Sequence, residues 1–389
     1  MSGIRNTWVA RAMTTRILPL ALTLAATAPA RAQNPAVTTL TESPDCNCRI
    51  ELTRVFSLSD SLHPGLFAYS PLVMRDSRGV WYATSNTDGL KQVGVFDQEG
   101  RLIKVIGRLG EGPGEFTRVN HIVVGAGDTL YVYDHSQLRR SVFDPDHEFV
   151  RTERIPAFMR DMVPLPSGHM IVNSTIRTAE GVDWPLHLVG ADGGVLQTFG
   201  NETASRRPDD SFLELRSIAV DGGGVLWVAP RNAYELSIYS MAGTRPQPTN
   251  RRYRRQVDWF QPWTELSRGA EPPKPNVQQI AFGPDDPTLL WVLISVADAE
   301  WAPVPPQRSS KELIDSLYDD ILEVIDIESG SVLASRRFGP VLSRLTFQGL
   351  IPALRIDEAN KVWMDVFMPT LHGRQLRESL GRSCPTSSK

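Results

Sequence analysis

Ile218-Ala219-Val220-Asp221-Gly222-Gly223-Gly224-Val225-Leu226-Trp227-Val228 is two short apolar runs joined by a turn, and its recurrence decides the fold. A turn rich in Gly, Asp, Asn or Ser is followed by an aliphatic or aromatic pair and then a valine-like residue. The same unit returns at Arg78-Gly79-Val80-Trp81-Tyr82, Asp128-Thr129-Leu130-Tyr131-Val132 and Gly168-His169-Met170-Ile171. It returns again at Thr288-Leu289-Leu290-Trp291-Val292 and Asn360-Lys361-Val362-Trp363-Met364. Apolar runs such as Leu72-Val73-Met74, Ile122-Val123-Val124 and Ile280-Ala281-Phe282 precede the copies across a short turn, which is the signature of a β-hairpin.

Most copies are followed by a third strand, as in Val93-Gly94-Val95-Phe96-Asp97, Ser141-Val142-Phe143-Asp144 and Leu186-His187-Leu188-Val189. A fourth follows, for example Leu102-Ile103-Lys104-Val105-Ile106. Four short antiparallel strands per unit, at a period of about 40 to 70 residues, describe the blade of a β-propeller. A lone sheet of this kind leaves both apolar faces wet. Stacking the blades buries Trp81, Tyr131, Trp227, Trp291 and Trp363 between neighbours. Each such ring stabilises by about 1.5 to 3 kcal/mol through burial.

The run Gly107-Arg108-Leu109-Gly110-Glu111-Gly112-Pro113-Gly114-Glu115-Phe116, with Leu130-Tyr131-Val132-Tyr133-Asp134 and Val142-Phe143-Asp144 after it, resembles the NHL-like six-bladed β-propellers of exported bacterial proteins. The resemblance is strongest over residues 66 to 150 and thins to periodicity after about 240. It implies a fold, and within that family binding function varies widely. The expected architecture is therefore all-β: six four-stranded antiparallel blades over 49–380. Segments 241–275 and 297–320 read as insertions. In the second, Ser309 and Ser310 cap a short helix carrying Leu313, Ile314, Leu317 and Tyr318. The last blade lacks a third strand after Val366-Phe367. Arg49 to Leu58, with Ile50, Leu52, Phe56 and Leu58 on one face, is expected to complete it.

Composition sets the context. The 389 residues are 41 % hydrophobic and 22 % charged, which excludes disorder, and 29 glycines with 29 prolines exclude a helical bundle. A net charge of -3 offers no global positive field for nucleic acid. Arg5, Arg11 and Arg16 precede an apolar run from Ile17 to Ala30, and Ala30-Arg31-Ala32 suits signal peptidase. Residues 1–32 thus read as a signal peptide, with the mature chain starting at Gln33 in the periplasm or outside the cell. Beyond it no run approaches the length of a membrane span. Residues 33–48 read as a linker and 381–389 as a tail. Cys46, Cys48 and Cys384 are disulfide candidates in an oxidising compartment, with the pairing left open between the two ends or within the first pair. The gap between Cys46 and Cys48 is too short for a tetrahedral zinc motif.

Three features bear on function. The glycine run 107–116 lacks the Gly-Lys-Ser/Thr ending of a phosphate loop, carries Glu111 and Glu115, and leads into a strand, so it reads as an inter-blade turn. Arg251, Arg252, Arg254 and Arg255 around Tyr253, followed by Trp259 and Trp263, form a basic and aromatic cluster. It reads either as an outer strand or as a surface for an anionic glycan or a partner protein. The starts of the innermost strands should face the central channel and place Asn120, His121, Arg160, Asp161, Arg216 and Gln278 at its mouth. No nucleophile elbow occurs. The sequence is therefore read as a binding module for a protein, peptide or glycan, with no cofactor. The alternative is a hydrolase or lyase in which Asn120, His121 and Asp161 hold a channel Ca or Zn.

Overall fold

In the computed structural model, described over residues 36–44, 46–67, 70–85, 91–177, 183–200, 213–242, 245–267, 271–283, 285–303, 317–339, 342 and 344–373, nearly every element is a strand. Two strands precede the first blade, β1 (Ala36–Glu42) and β2 (Arg49–Ser59). The first three blades are regular four-stranded sheets. They comprise β3 (Pro71–Arg75), β4 (Trp81–Ser85), β5 (Val93–Phe96) and β6 (Leu102–Ile106); β7 (His121–Val124), β8 (Leu130–Asp134), β9 (Arg139–Phe143) and β10 (Phe149–Arg154); and β11 (Met159–Pro164), β12 (Met170–Arg177), β13 (Asp183–Val189) and β14 (Val195–Phe199). The fourth is β15 (Arg216–Val220), β16 (Val225–Pro230), β17 (Glu235–Ser240) and β18 (Gln247–Arg255). The fifth is β19 (Asn276–Phe282), β20 (Leu289–Ala297), β21 (Tyr318–Asp326) and β22 (Ser331–Phe338). The last blade has three strands: β23 (Ile351–Ile356), β24 (Val362–His372) and β2 from the other end of the chain.

Six apolar clusters lie between successive blades and close the ring. Leu72, Tyr82 and Val95 meet Ile122 and Val132 of the next blade. Tyr131 and Val142 meet Met162 and Met170. Val163 and Ile171 meet Ile218 and Leu226, Trp227 meets Ile280 and Leu290, and Trp291 meets Ile50 and Ile351. Leu58 and Val366 of the last blade then meet Val73 and Trp81 of the first. This is a six-bladed β-propeller. Trp81, Tyr131, Trp227 and Trp291 are buried as expected, and Trp363 is half-buried.

Local turn chemistry explains why the hairpins form where they do. Asp221 Oδ1 accepts the N–H groups of Gly223 (2.9 Å) and Val225 (2.8 Å), and its Oδ2 accepts Trp227 Nε1 (3.1 Å). Asp357 repeats the pattern with Ala359, Lys361 and Trp363 Nε1 (2.9 Å). Asp76 does so with Arg78, Val80 and the Tyr82 hydroxyl (3.3 Å). The residue matching Trp227 in the first blade is therefore Tyr82 and not Trp81, which stacks on Phe56 of β2 at 4.8 Å instead. In the 107–116 turn, Gly107 has φ 83°, and a Cβ there would lie 2.2 Å from the Phe116 ring.

β2 pairs antiparallel with β24 from Arg49–His372 to Ser59–Trp363, so the N-terminal strand completes the final blade. The segment read as a linker contains a strand too. β1, rich in the β-branched Val37, Thr38, Thr39 and Thr41, pairs in parallel with β18 and then with β22, splicing the fourth and fifth blades into one nine-stranded sheet. The segment 241–275, read as an insertion, supplies β18, the fourth blade's own outer strand. Cys46 pairs with Cys48, with Cα atoms 5.0 Å apart. The signal peptide, Cys384 and most of the expected helix lie outside the described residues, as does the tail. No helix among the described residues is long and apolar enough to cross a membrane.

At the splice, buried Arg255 donates to Glu323 (3.3 Å) and to Glu42 (3.0 Å), and Tyr234 donates to the other Glu323 oxygen (2.7 Å). The Glu323 side chain is 0 % exposed and that of Glu42 is 77 % exposed. Removing one partner of a buried pair strands the other charge, whereas an exposed partner contributes little. Glu323→Gln is expected to lower the unfolding free energy by about 3 kcal/mol and Glu42→Gln by less than about 1 kcal/mol. Denaturant midpoints check both, and equal losses would reject this division of roles.

Candidate site at the channel mouth

The innermost strands place polar residues around one cavity of about 20 Å³, lined by His121 at the start of β7, Asp161 of β11 and Gln279 of β19. Its remaining lining includes Arg344, Leu345, Thr346 and Phe347 from the connection between β22 and β23. Phe347 packs against the clusters between the first and second, second and third, and third and fourth blades. That is possible only for a side chain near the ring's centre. Gln348 fixes the same turn by exchanging two hydrogen bonds with the Arg75 backbone at the far end of β3 (2.9 and 2.6 Å). The cavity is therefore a well with Phe347 in its lining and room for about one water-sized group.

Asp161 is a cross-blade pin. Its Oδ1 accepts Met162 N (2.9 Å), and its Oδ2 accepts Ile218 N (3.0 Å), Gln279 Nε2 (2.8 Å) and Ser217 Oγ (3.4 Å). Ser217 Oγ in turn accepts Ile280 N (2.7 Å), so three inner strands are tied through two side chains. Burial pushes the Asp161 carboxyl above its ordinary range, while the charge of Arg344 and these donors pull it back. Burial pushes the Arg344 guanidinium below its ordinary value, and Asp161 opposes that.

His121 is held neutral by burial, reinforced by Arg344, His135 and Arg160, although its ring donates to the Met159 carbonyl. His135 lies 5.2 Å from it, ring to ring, and 4.1 Å from the Phe158 ring. Both ring nitrogens of His135 are buried without a hydrogen-bond partner. Burial lowers its pKa to about 4, with Asp134 opposing and Arg160 and Arg118 adding to the fall. Phe158 is 46 % exposed, and the exposed Arg160 guanidinium lies 4.8 Å over its ring.

Of the mouth residues expected from sequence, His121 and Asp161 line the well, and Arg160 and Gln278 are exposed. Gln278 bonds to Asn276 (2.6 Å) and accepts from Arg231 (3.4 Å). Asn120 accepts the His135 N–H (2.9 Å), and Arg216 turns back onto the carbonyls of Leu213 (2.5 Å) and Leu215 (3.1 Å). Arg344 and Phe347 escaped sequence reasoning. The available signal was a connection longer than a tight turn, 339–350, with one arginine and one phenylalanine among apolar residues.

The basic cluster is not one continuous face. Arg251, Arg252 and Arg254 lie on β18, where Arg254 pairs with Glu235 (2.7 Å) and Arg251 stacks on Tyr253. Arg255 is buried in the splice, and Trp263 is buried with its Nε1 donating to the Pro275 carbonyl (2.5 Å). Trp259 packs on Tyr234 and Phe260.

Residues 81–246 match the family DUF5128, described as a 6-bladed beta-propeller. No curated protein matches the sequence. Among solved structures, a candidate exported protein of Bacteroides fragilis NCTC 9343 is similar at 12 % identity and a TM-score of 0.55, over 85 % of this chain and 99 % of that one. A DUF4221 family member from Bacteroides vulgatus is similar at 12 % identity and 0.54, over 82 % and 98 %. At such identity the likeness is one of fold.

A histidine kept neutral when folded but free to protonate when unfolded makes the unfolded state bind more protons as acid is added. Stability should therefore fall as pH drops from about 6.5 toward 4, by up to about 3 kcal/mol for His135. His135→Phe is expected to flatten that limb in denaturation series across this range, and an unchanged slope would reject a neutral buried His135.

Proposed function

We propose that the protein is an exported, NHL-like propeller acting as a binding module, which takes a protein, peptide or glycan ligand at the channel mouth. The residues engaged are Asn120, His121, Arg160, Asp161, Arg216 and Gln278, with Arg160 and Gln278 reaching the ligand from the surface. The observation supporting this most strongly is the exposed Phe158–Arg160 pair, joined through the rings of His135 and His121 to a well that also holds Asp161 and Arg344. An aromatic face left in water next to a cation is a surface that gains by being covered. The outer-strand arginines support a ligand surface less, because Arg254 and Arg255 already have carboxylate partners.

Hydrolase or lyase chemistry through a channel Ca or Zn has less support. Asn120 Oδ1 and both Asp161 oxygens accept N–H donors, and Arg344 lines the same well as Asp161 and His121. A cation there would meet a guanidinium and oxygens already engaged by N–H donors.

Binding of the full chain to glycan and peptide arrays is the test. The doubly substituted Arg160→Ala, Gln278→Ala chain is expected to lose about tenfold in affinity for the captured ligand, equivalent to about 1.4 kcal/mol, with unchanged Tm. Unchanged affinity would remove the mouth from the interface. For export, N-terminal sequencing of the protein recovered outside the cytoplasm is expected to begin at Gln33, and an intact Met1 would contradict the signal reading.

A further inference from the structure

We propose that the well at the channel mouth is a carboxylate site, in which Arg344 grips the ligand's carboxylate and Thr346 and Gln279 supply further donors. This deepens the mouth reading and rests on it.

One guanidinium at the well has no hydrogen-bond partner among the described residues. Arg344 lines the well and its charge acts on Asp161, yet it makes no hydrogen bond or close ion pair with any described residue. Asp161 is already committed, its oxygens taken by donors from three inner strands. A guanidinium carries five N–H donors in a planar fork, and one half-buried at a cavity without protein acceptors has them free for a ligand. Such an arrangement persists where function needs it.

The other polar groups in the well also have donors to spare. Gln279 Nε2 uses one N–H on Asp161 and has a second. Thr346 Oγ1 accepts Leu350 N at 3.1 Å, which leaves its own proton to give. Arg160 adds positive charge from the rim, acting on His121. Asp161 is the one carboxylate in the lining and its oxygens already accept hydrogen bonds, so the spare donors of Arg344, Gln279 and Thr346 favour an anion.

Size and shape choose among anions. A well of about 20 Å³ has room for about one water-sized group, so an anion enters it by one oxygen at most. A planar two-oxygen group crowds so narrow a well less than a tetrahedral one and still matches the guanidinium fork. The body of the ligand must stay outside, where Phe158 presents an exposed ring beneath Arg160. The chemistry is thus a terminal carboxylate carried on a short, flat or apolar body. A free acid, a peptide C-terminus and a uronic acid share it.

The experiment is calorimetric titration of the full chain, at constant ionic strength, with phenylacetate, phenylacetamide and phenyl phosphate. Saturable one-site binding of phenylacetate, at least tenfold tighter than the other two, is expected. Arg344→Gln should weaken it at least tenfold, and Arg344→Lys should weaken it less. A dipeptide with a free or an amidated C-terminus, and glucuronate, then separate the sources. Because Arg344 makes no hydrogen bond and only its charge acts on Asp161, Arg344→Met should fold with a Tm within a few degrees of the parent. No saturation by phenylacetate, equal affinity in Arg344→Gln, or a Tm several degrees lower in Arg344→Met would each overturn the assignment. Array binding that depends on Arg160 and Gln278 while phenylacetate fails to bind would overturn the carboxylate site and leave the mouth reading standing. Phenylacetate binding with arrays indifferent to the mouth would do the reverse.

Discussion

Each sheet of this protein has two apolar faces, and a sheet can bury both only if another stands on either side of it. That constraint is satisfied without limit only by a ring, and the six clusters between successive blades are its expression. The last interface is the vulnerable one, because the chain's two ends must meet there. It is secured by β2, whose Leu58 joins Trp81 and Val73 of the first blade and whose pairing with β24 runs over its whole length. A second N-terminal strand, β1, crosses from the fourth blade to the fifth and puts Leu40 into their shared core.

Closing the ring forces polar groups into a shared interior. Inner strands bring His121, Asp161 and Gln279 to one cavity. The structure resolves most of that crowding through Asp161 and Ser217, which turn potentially unpaired donors on neighbouring strands into a network. His121 and His135 are accommodated by staying neutral. Arg344 is the group left over, and it faces the space that remains. Packing and ligand chemistry are therefore coupled: the network that satisfies the strands also makes the residual site rich in donors.

Much of this was legible in the residues. The hairpins could be read from turns followed by apolar pairs, because the physics of a turn is local: Asp221 and Asp357 bond to N–H groups two and four residues on. The Arg49–Leu58 strand could be read from alternation, and it does complete the last blade. Register within the repeat was harder. Trp81 looked like the partner of Trp227, yet the Asp76 turn places Tyr82 in that role, a one-residue shift that sends the two rings to opposite faces. The strand β1 was hidden in a stretch whose partners lie more than two hundred residues away, whereas the outer-strand reading of the 251–255 arginines holds in β18.

The sequence picked out His121 and Asp161, which line the cavity, because position along an inner strand fixes which face a side chain occupies. It missed Arg344 and Phe347 because they belong to a connection with no periodicity to read. Sequence by itself determined strands, turns, the repeat and the need for a closed ring, all of which follow from local backbone chemistry and the alternation of apolar residues. Only the tertiary structure decided which connection lines the cavity, which carboxylate is spent on neighbouring strands and which cation is left without a hydrogen bond. Those outcomes depend on distances between residues far apart in the chain, and no local pattern encodes them.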